Sequence, residues 1–364
     1  MSAGPSGGRP FPSAATGFPS ALRHPGVLAA LASAALFGVA TPLTKLLLDR
    51  GLSPYLLAGL LYTGSGAGLA LVQVARRRPP PRPGRHDLPP LTAAIALGGV
   101  AAPILLLLGV SHLPAATASL LLNAEGALTA ALAWAVFREH LDRRIAIGMA
   151  VIVAGATVLG HQGWTSTGST WPALAVVGAC ACWALDNNLT RLVSTTDAVW
   201  LAALKGLVAG PVNLALAALV GSGRPAPVTI AVAAVIGLAT NGVSLVLFIT
   251  ALRHLGTART GAYFGLAPFL GALLALALGE PATWTLALAG ALMAIGAWLH
   301  LSEDHRHTHH HESAAHAHPH AHDVHHGHSH DGATDGVHTH WHDHDLLDHS
   351  HAHYPDVHHR HDHR

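Results

Sequence analysis

The sequence predicts an all-α integral membrane protein of ten transmembrane helices, built as two inverted five-helix repeats between disordered termini. Three observations predict this fold class. The chain is 51% hydrophobic and 11% charged, whereas ordinary soluble domains carry about 25% charged residues. Its apolar segments follow one another at the length that crosses a bilayer. Its second half also repeats features of the first half in the same order.

The apolar segments between residues 26 and 301 are mostly apolar all round and lack the polar face of a soluble helix. A bilayer crossing needs about 20 such residues. Ten ranges meet this requirement: 26–48, 53–75, 88–110, 114–137, 143–161, 171–190, 197–220, 228–250, 256–278 and 283–301. We therefore predict a first repeat over residues 26–161 and a second over residues 171–301.

The two ends of the chain differ from this core in composition. Residues 1–25 are rich in Gly, Pro and Ser, and the apolar run that follows is too long for a secretory signal. Residues 302–364 contain 24 of the 31 histidines. Neither end has enough apolar residues to build a core, so both are predicted to be disordered.

The distribution of arginine predicts the orientation in the membrane. Alternate loops carry Arg76, Arg77, Arg78, Arg82, Arg85, Arg138, Arg143, Arg144, Arg191, Arg253 and Arg259. The opposite loops carry Arg50 and Arg224. By the positive-inside rule the first set is cytoplasmic. With ten spans in the plasma (inner) membrane, both termini and the whole histidine-rich tail then lie in the cytoplasm.

Four matches relate the two halves. The segments 37–45 and 183–191 share an aromatic first residue and a Leu-Thr-Lys/Arg ending. The other matches are His112 with His254, Glu139 with Glu280, and Gly155 with Gly296. Because each repeat has five spans, an odd number, the halves have opposite orientations. Inverted repeats of this kind build transporters, whose substrate site lies near the midplane where the halves meet.

With this layout, the chain resembles the EamA family of the drug/metabolite transporter superfamily over roughly residues 28–300. The resemblance rests on the five-plus-five spans, on Glu139 and Glu280 closing the fourth and ninth, and on glycines in the fifth and tenth. It implies a proton- or gradient-driven carrier, in most cases an exporter, of amino acids, nucleosides, sugars, drugs or similar solutes. Relatives often have proline midway along the fourth and ninth spans. Pro268 fits this pattern, whereas the first half has Glu125-Gly126.

Glu125 lies in the middle of the fourth predicted span. An ionisable group at a helix centre costs about 2.5–3.5 kcal/mol on insertion scales, and such groups often mark ion pathways. One interpretation is a proton or cation site that faces the central cavity. The other is a structural carboxyl group that hydrogen bonds to a neighbouring helix.

Asp186, Asn187 and Asn188 form a polar cluster in the sixth span, and Lys205 lies inside the seventh. Both lie a turn or two from the loop that joins these helices, so we predict that Asp186 and Lys205 pair across the hairpin. The pair is either structural or a gate that opens when substrate or a proton competes for Asp186. Asn213 and Asn241 are weaker polar candidates.

Histidines in the tail recur at alternate positions, with carboxylates beside them. Neutral imidazole suits zinc, nickel and cobalt, and histidine-rich tracts are metal-binding by composition. The predicted ligands are His316, His318, His320, His322, His326, His328, His330, His338, His340, His342, His344, His349, His351 and His353. The tail could store metal, sense it, or respond to pH because histidine titrates near neutrality.

Three functions follow as hypotheses. The first is a secondary transporter of divalent nickel, cobalt or zinc, with the tail as a cytoplasmic reservoir. The second is an exporter of amino acids or other small metabolites with a metal-responsive tail, and the third is a membrane-anchored metal store without transport. The chain has no catalytic triad or nucleotide-binding glycine loop, so we predict neither an enzyme nor a required cofactor. No basic patch interleaved with aromatic residues indicates nucleic-acid binding, and the oligomeric state stays open.

Overall fold

The computed structural model describes residues 25–77, 84–137, 143–167, 169–192, 197–255 and 257–301. It also describes four tail segments, 306–311, 315–320, 338–343 and 347–352. The chain forms two compact units, Met1–Ser302 and Glu303–Arg364. The disordered N-terminus predicted from the sequence lies outside the described residues, except for Pro25, which begins the first helix.

The regular secondary structure of the first unit is all helical within its described residues. Its first half consists of α1 (Pro25–Gly38), α2 (Ala40–Asp49), α3 (Pro54–Ala75), α4 (Leu88–Ala94), a π-helix (Ile95–Ala101), α5 (Ala102–His112), α6 (Ala115–Leu121), α7 (Ala124–Phe137) and α8 (Arg143–Thr167). Its second half consists of α9 (Trp171–Leu192), α10 (Ala198–Leu219), α11 (Pro227–Gly237), a second π-helix (Leu238–Val243), α12 (Ser244–Leu255), α13 (Thr257–Phe264), α14 (Ala267–Ala277) and α15 (Trp284–Leu301).

Among the described residues, six helical segments are long and apolar enough to cross a membrane. They are Pro25–Asp49, Pro54–Ala75, Leu88–His112, Ala115–Leu132, Val199–Leu219 and Pro227–Ala251. Shorter apolar helices cover Ala146–His161, Ala267–Ala277 and Trp284–Leu299. Helical residues thus occupy every range predicted from the sequence, and the count of ten spans stays a prediction.

Two kinds of interruption recur at matching places in the halves. Each third segment of five contains a π-helix, Ile95–Ala101 or Leu238–Val243. Each fourth segment is broken, between Leu121 and Ala124 or between Phe264 and Ala267. All four segments are continuous spans in the prediction from the sequence, because apolar composition does not register a change from α to π hydrogen bonding.

The packing of the helices is also paired. The matching helices α3 and α10 pack against each other, as do α8 and α15. Helices α1 and α9 begin the two halves, and α5 and α12 end the third segment of each. Helix α5 packs on α9, and its equivalent α12 packs on α1. The predicted inverted repeat would give this pattern, because a two-fold axis in the membrane plane brings equivalent helices face to face.

Glycine allows the closest of these contacts. A Cβ atom on Gly66 would lie 2.5 Å from the carbonyl carbon of Gly206, and one on Gly206 would lie 2.5 Å from the Gly66 Cα. The backbones of α3 and α10 therefore touch, as small residues permit in membrane helix pairs. Gly155 and Gly296, matched from the sequence, both lie in the interface between α8 and α15.

The tail unit has four short strands: β1 (Arg306–His311), β2 (Ala315–His320), β3 (His338–Asp343) and β4 (Leu347–Ala352). Strand β1 pairs with β4, and β2 pairs with β3, both antiparallel. These segments differ from the expectation of an all-α protein whose tail lacks regular structure. The alternation of histidine with a second residue has the period of two that a β-strand requires.

Candidate functional site

A narrow cavity of about 40 Å³ lies within the first unit, where residues of both halves meet. A cavity of this size has room for a few water molecules. Its aromatic lining residues are Phe37, Tyr62 and Trp183, and its polar ones include Thr41, Thr44, Thr240 and Asn241. None of the lining side chains is charged.

The aromatic side of the cavity continues into a row of rings. The ring centroids of Phe37 and Trp183 lie 6.4 Å apart in an edge-on arrangement, and those of Phe37 and Phe264 lie 5.2 Å apart. Phe248 follows at 4.8 Å from Phe264. Edge-on aromatic pairs are favourable beyond their buried area, so this row gives the cavity a preformed apolar wall.

The first π-helix presents two backbone carbonyl groups to this region. Tyr62 Oη donates a hydrogen bond to the Gly98 oxygen at 2.7 Å, and Trp183 Nε1 donates to the same oxygen at 3.1 Å. Asn213 Nδ2 donates to the Gly99 oxygen at 3.0 Å. Three side chains from three different helices therefore meet at one widened helical turn.

Pro103 explains why these carbonyls are available. A π register would pair the Gly98 oxygen with the amide of residue 103, and an α register would pair the Gly99 oxygen with the same amide. Proline has no N–H group. The side chains of Tyr62, Trp183 and Asn213 supply the missing donors.

A buried ion pair lies beside this turn. Lys205 Nζ is 2.6 Å from Asp186 Oδ1, and the two side chains are 15% and 8% exposed. Thr190 Oγ1 donates to the same oxygen at 2.9 Å and accepts a hydrogen bond from Lys205 at 3.1 Å. The contact predicted across the hairpin of α9 and α10 is therefore present.

The glycine at position 98 makes room for the pair. A Cβ atom there would overlap Oδ2 of Asp186. The π-helix and α9 can approach this closely only because residue 98 has no side chain. The ion pair and the aromatic cavity are consequently linked through one residue, Gly98.

Glu125 is in the first turn of α7, directly after the break in the fourth segment. Asn187 Nδ2 donates to Glu125 Oε1 at 2.9 Å. Asn188, by contrast, donates to the Ala184 oxygen of its own helix at 2.8 Å. The structure thus brings Glu125, Asn187, Asp186 and Lys205 together, whereas Asn188 makes a local contact.

Other polar residues are at helix ends. Lys45 Nζ is 3.0 Å from Asp49 Oδ1 and donates to the Ser111 oxygen at 3.4 Å. Glu280 accepts from the backbone N–H groups of Ala115 and Ala116 at 2.6 and 2.8 Å, so it caps α6 from the opposite half. Its sequence match, Glu139, lies outside the described residues.

No group of three or more His, Cys, Asp or Glu side chains is arranged to hold a metal within the residues that the structure describes. The predicted tail ligands at positions 322, 326, 328, 330, 344 and 353 lie outside the described residues. The others occupy strand positions. In the register of β2 with β3, His316, His318 and His320 pair with His342, His340 and His338. In that of β1 with β4, His309 pairs with His349 and His307 with His351.

Sequence reasoning missed Tyr62, Trp183 and Gly98 as site residues. The signal was present but weak: a Gly-Gly pair shortly before a proline in one apolar span, at residues 98–103. Nothing in the sequence placed the two aromatic donors beside that pair, because their helices are far apart along the chain.

The chain belongs to the EamA-like transporter family, whose profile matches residues 24–160 and 170–302. The resemblance found from the sequence is therefore confirmed, with two repeats. A family of this kind defines the protein as a multi-pass membrane transporter that handles a small solute.

Two curated relatives and one solved structure resemble the chain. An uncharacterized transporter of Methanothermobacter thermautotrophicus is 27% identical over 293 residues, covering 75% of this chain and 85% of the relative. A probable terminal-alkyne amino-acid exporter of Streptantibioticus cattleyicolor is 31% identical over 258 residues, covering 68% and 85%. A crystal structure aligns with a TM-score of 0.57 at 19% identity, covering 76% of this chain and 96% of that one. That structure supports the fold alone.

Proposed function

We propose that the protein is a secondary exporter of small neutral or zwitterionic organic solutes, with amino acids as the first class to test. It has ten spans in two inverted repeats, lies in the plasma (inner) membrane and keeps both termini in the cytoplasm. The observation that carries the substrate class is the lining of the cavity where the halves meet, which is aromatic and polar but uncharged. At about 40 Å³ the cavity holds only a few water molecules, so it must widen when an amino acid enters. Binding sites for small organic molecules have this composition of apolar walls with a few polar groups.

A carboxylate-rich metal path through the membrane has less support. Divalent transition metals need several convergent ligands at about 2 Å, and the described residues contain no such group. The 31% identical relative is described as a probable amino-acid exporter. This description also favours the organic solute, which was the second of the three functions predicted from the sequence.

Amino-acid exchange in proteoliposomes tests the substrate class. Vesicles that contain the purified chain are loaded with one unlabelled L-amino acid and diluted into the radiolabelled form. We expect labelled uptake for a subset of small or aromatic amino acids. If no amino acid exchanges while nickel, cobalt or zinc does, the metal carrier replaces this proposal.

A pair of tryptophan variants links the transport to the cavity. Trp183→Phe removes the donor to Gly98 and should lower the exchange rate, because one net hydrogen bond is worth about 0.5–1.5 kcal/mol. Trp298→Phe is the matched control, since Trp298 is 65% exposed on the outside of the helices. Equal effects of the two changes would contradict a role for the cavity.

The tail is proposed as a metal-binding segment that regulates or buffers rather than transports. The observation is the register of β2 with β3, which pairs three histidines with three histidines. Directly paired residues on antiparallel strands have Cα atoms about 4.5–5.5 Å apart, a spacing at which two imidazoles can reach one zinc, nickel or cobalt ion.

Calorimetric titration of the full chain with zinc tests this role. Changing His316, His318, His340 and His342 to Gln should weaken binding more than changing His358, His359, His361 and His363. Equal losses would indicate that histidine number alone matters, which contradicts the paired register. A metal store without transport, the third hypothesis, requires that amino-acid exchange be absent while zinc binding persists.

A further inference from the structure

The polar cluster around Asp186 has two carboxylates and one cation. The charge of Asp186 is balanced by Lys205, whose Nζ atom lies 2.6 Å from Asp186 Oδ1. The same oxygen accepts a hydrogen bond from Thr190 at 2.9 Å. The hydrogen bond recorded for Glu125 comes from a neutral amide, that of Asn187. In the part of the chain that the structure describes, no salt bridge includes Glu125.

The side chains that the structure describes on the elements around Glu125 do not supply the missing charge. Asp186, Tyr62 and Cys180 are the titratable groups that interact with it electrostatically, and none of them is a base. Helix α8, which also packs on α7, carries its titratable groups, Arg143, Arg144 and His161, towards its ends. An ionised carboxylate at this depth costs about 2.5–3.5 kcal/mol on insertion scales, so the charge must be neutralised in another way.

A proton fits this position better than a metal ion does. A metal ion needs several oxygen, nitrogen or sulfur ligands, and no group of three acidic, histidine or cysteine side chains is found among the described residues. A proton needs only one carboxylate oxygen. Asn187 holds Oε1 through its amide hydrogen, which leaves Oε2 to carry an O–H bond.

Exposed residues border this carboxyl group. Asn187 is exposed although it lies within α9, and Gly126 beside Glu125 is exposed as well. A polar amide at membrane depth is too costly to face lipid and instead borders protein or a water-filled opening. The surface at Asn187 and Gly126 therefore gives protons a route to Oε2.

We propose that Glu125 is the proton-coupling residue of the transport cycle, which rests on the proposed function as a secondary exporter. A proton from water forms an O–H bond at Oε2, and that bond breaks again when the proton leaves to water on the other side. The Asp186–Lys205 pair stays closed and positions Asn187 beside Glu125.

The experiment separates exchange from net transport in proteoliposomes that contain the full chain, with an L-amino acid as the probe. Exchange at equal pH requires no release of the proton, whereas uptake driven by a pH gradient does. For Glu125→Gln we expect exchange at the wild-type level and loss of gradient-driven uptake. Glu280→Gln is the matched control, because Glu280 caps α6 outside the cluster, and it should keep both activities.

A second measurement needs no substrate. Solid-supported membranes that carry the full chain are subjected to a pH jump, and the transient charge displacement is recorded. The wild type and Glu280→Gln should give a displacement that Glu125→Gln lacks. A displacement that persists in Glu125→Gln overturns the proposal, as does gradient-driven uptake that survives in this variant.

Failure of the proposed function gives a different result. If wild-type protein exchanges no amino acid but shows a displacement that depends on Glu125, the substrate class is wrong and the proton site stands. If Glu125→Gln loses exchange as well and still elutes as a monodisperse protein, the carboxylate belongs to the substrate site, and the coupling proposal is overturned. Glu125→Asp, which keeps a titratable group, should restore the displacement.

Discussion

The two π-helices occupy matching places in the two halves and have different chemistry. The first, Ile95–Ala101, receives three side-chain donors and lies against an ion pair. Around the second, Leu238–Val243, Thr240 donates to Ile236 of its own segment, and Ser33 and Ser244 bond to each other. The comparison teaches that the repeat duplicates the backbone, whereas the buried ion pair lies beside the first π-helix and draws its residues, Asp186 and Lys205, from the second half.

The largest expected effect comes from breaking the ion pair beside the first π-helix. Lys205→Met leaves Asp186 buried without a cation, and removing one partner of a buried pair costs about 3–5 kcal/mol. The double change Lys205→Met with Asp186→Asn should recover much of that loss, because no charge is left unpaired. Thermal unfolding in detergent checks both variants. Equal destabilisation by the single and double changes would show that the pair is not a coupled unit.

The next effect tests the contact that links this π-helix to α9. Gly98→Ala places a methyl group on the Asp186 carboxylate and should cost about 1–3 kcal/mol, as overpacking does. Gly160→Ala is the control, since a Cβ there meets nothing within 4 Å. That change should be neutral or stabilising by about 0.5–1 kcal/mol. Differential scanning fluorimetry separates the two.

A third prediction concerns the contact between the halves at α6. Glu280→Ala removes both acceptors from the backbone N–H groups of Ala115 and Ala116, and loss of a helix cap costs about 0.5–2 kcal/mol. Glu280→Gln keeps one good acceptor and should lose less. Hydrogen exchange of residues 115–121 is the readout. Unchanged protection in Glu280→Ala would contradict the cap.

The smallest effect sharpens the difference between the π-helices. Tyr62→Phe removes one of two donors to the Gly98 oxygen and should cost about 0.5–1.5 kcal/mol. Ser33→Ala removes a hydroxyl that bonds Ser244 beside the second π-helix, and a similar loss is expected. If only Tyr62→Phe also alters amino-acid exchange, the first π-helix is the functional one. If Tyr62→Phe and Ser33→Ala change the exchange rate equally, the two π-helices do not differ in function.

Much of the site could be predicted from the sequence because charge is rare within its apolar spans. Glu125, Asp186 and Lys205 stand out for that reason, and the pairing of the last two followed from their positions on adjacent helices. Asn187 was recognised as part of a polar cluster, but its bond to Glu125 was not. That bond joins α7 to α9, and no local pattern reports which faces of two apolar helices meet.

The sequence by itself determined the membrane environment, the family and the repeat, because bilayer length and apolar composition constrain every segment in turn. It also determined which residues carry charge. Only the tertiary structure decided that Pro103 frees the carbonyls of Gly98 and Gly99, and that Tyr62, Trp183 and Asn213 satisfy them. The reason is physical: a backbone group without a partner within its own helix must find one on a neighbouring helix, and which neighbour supplies it depends on packing.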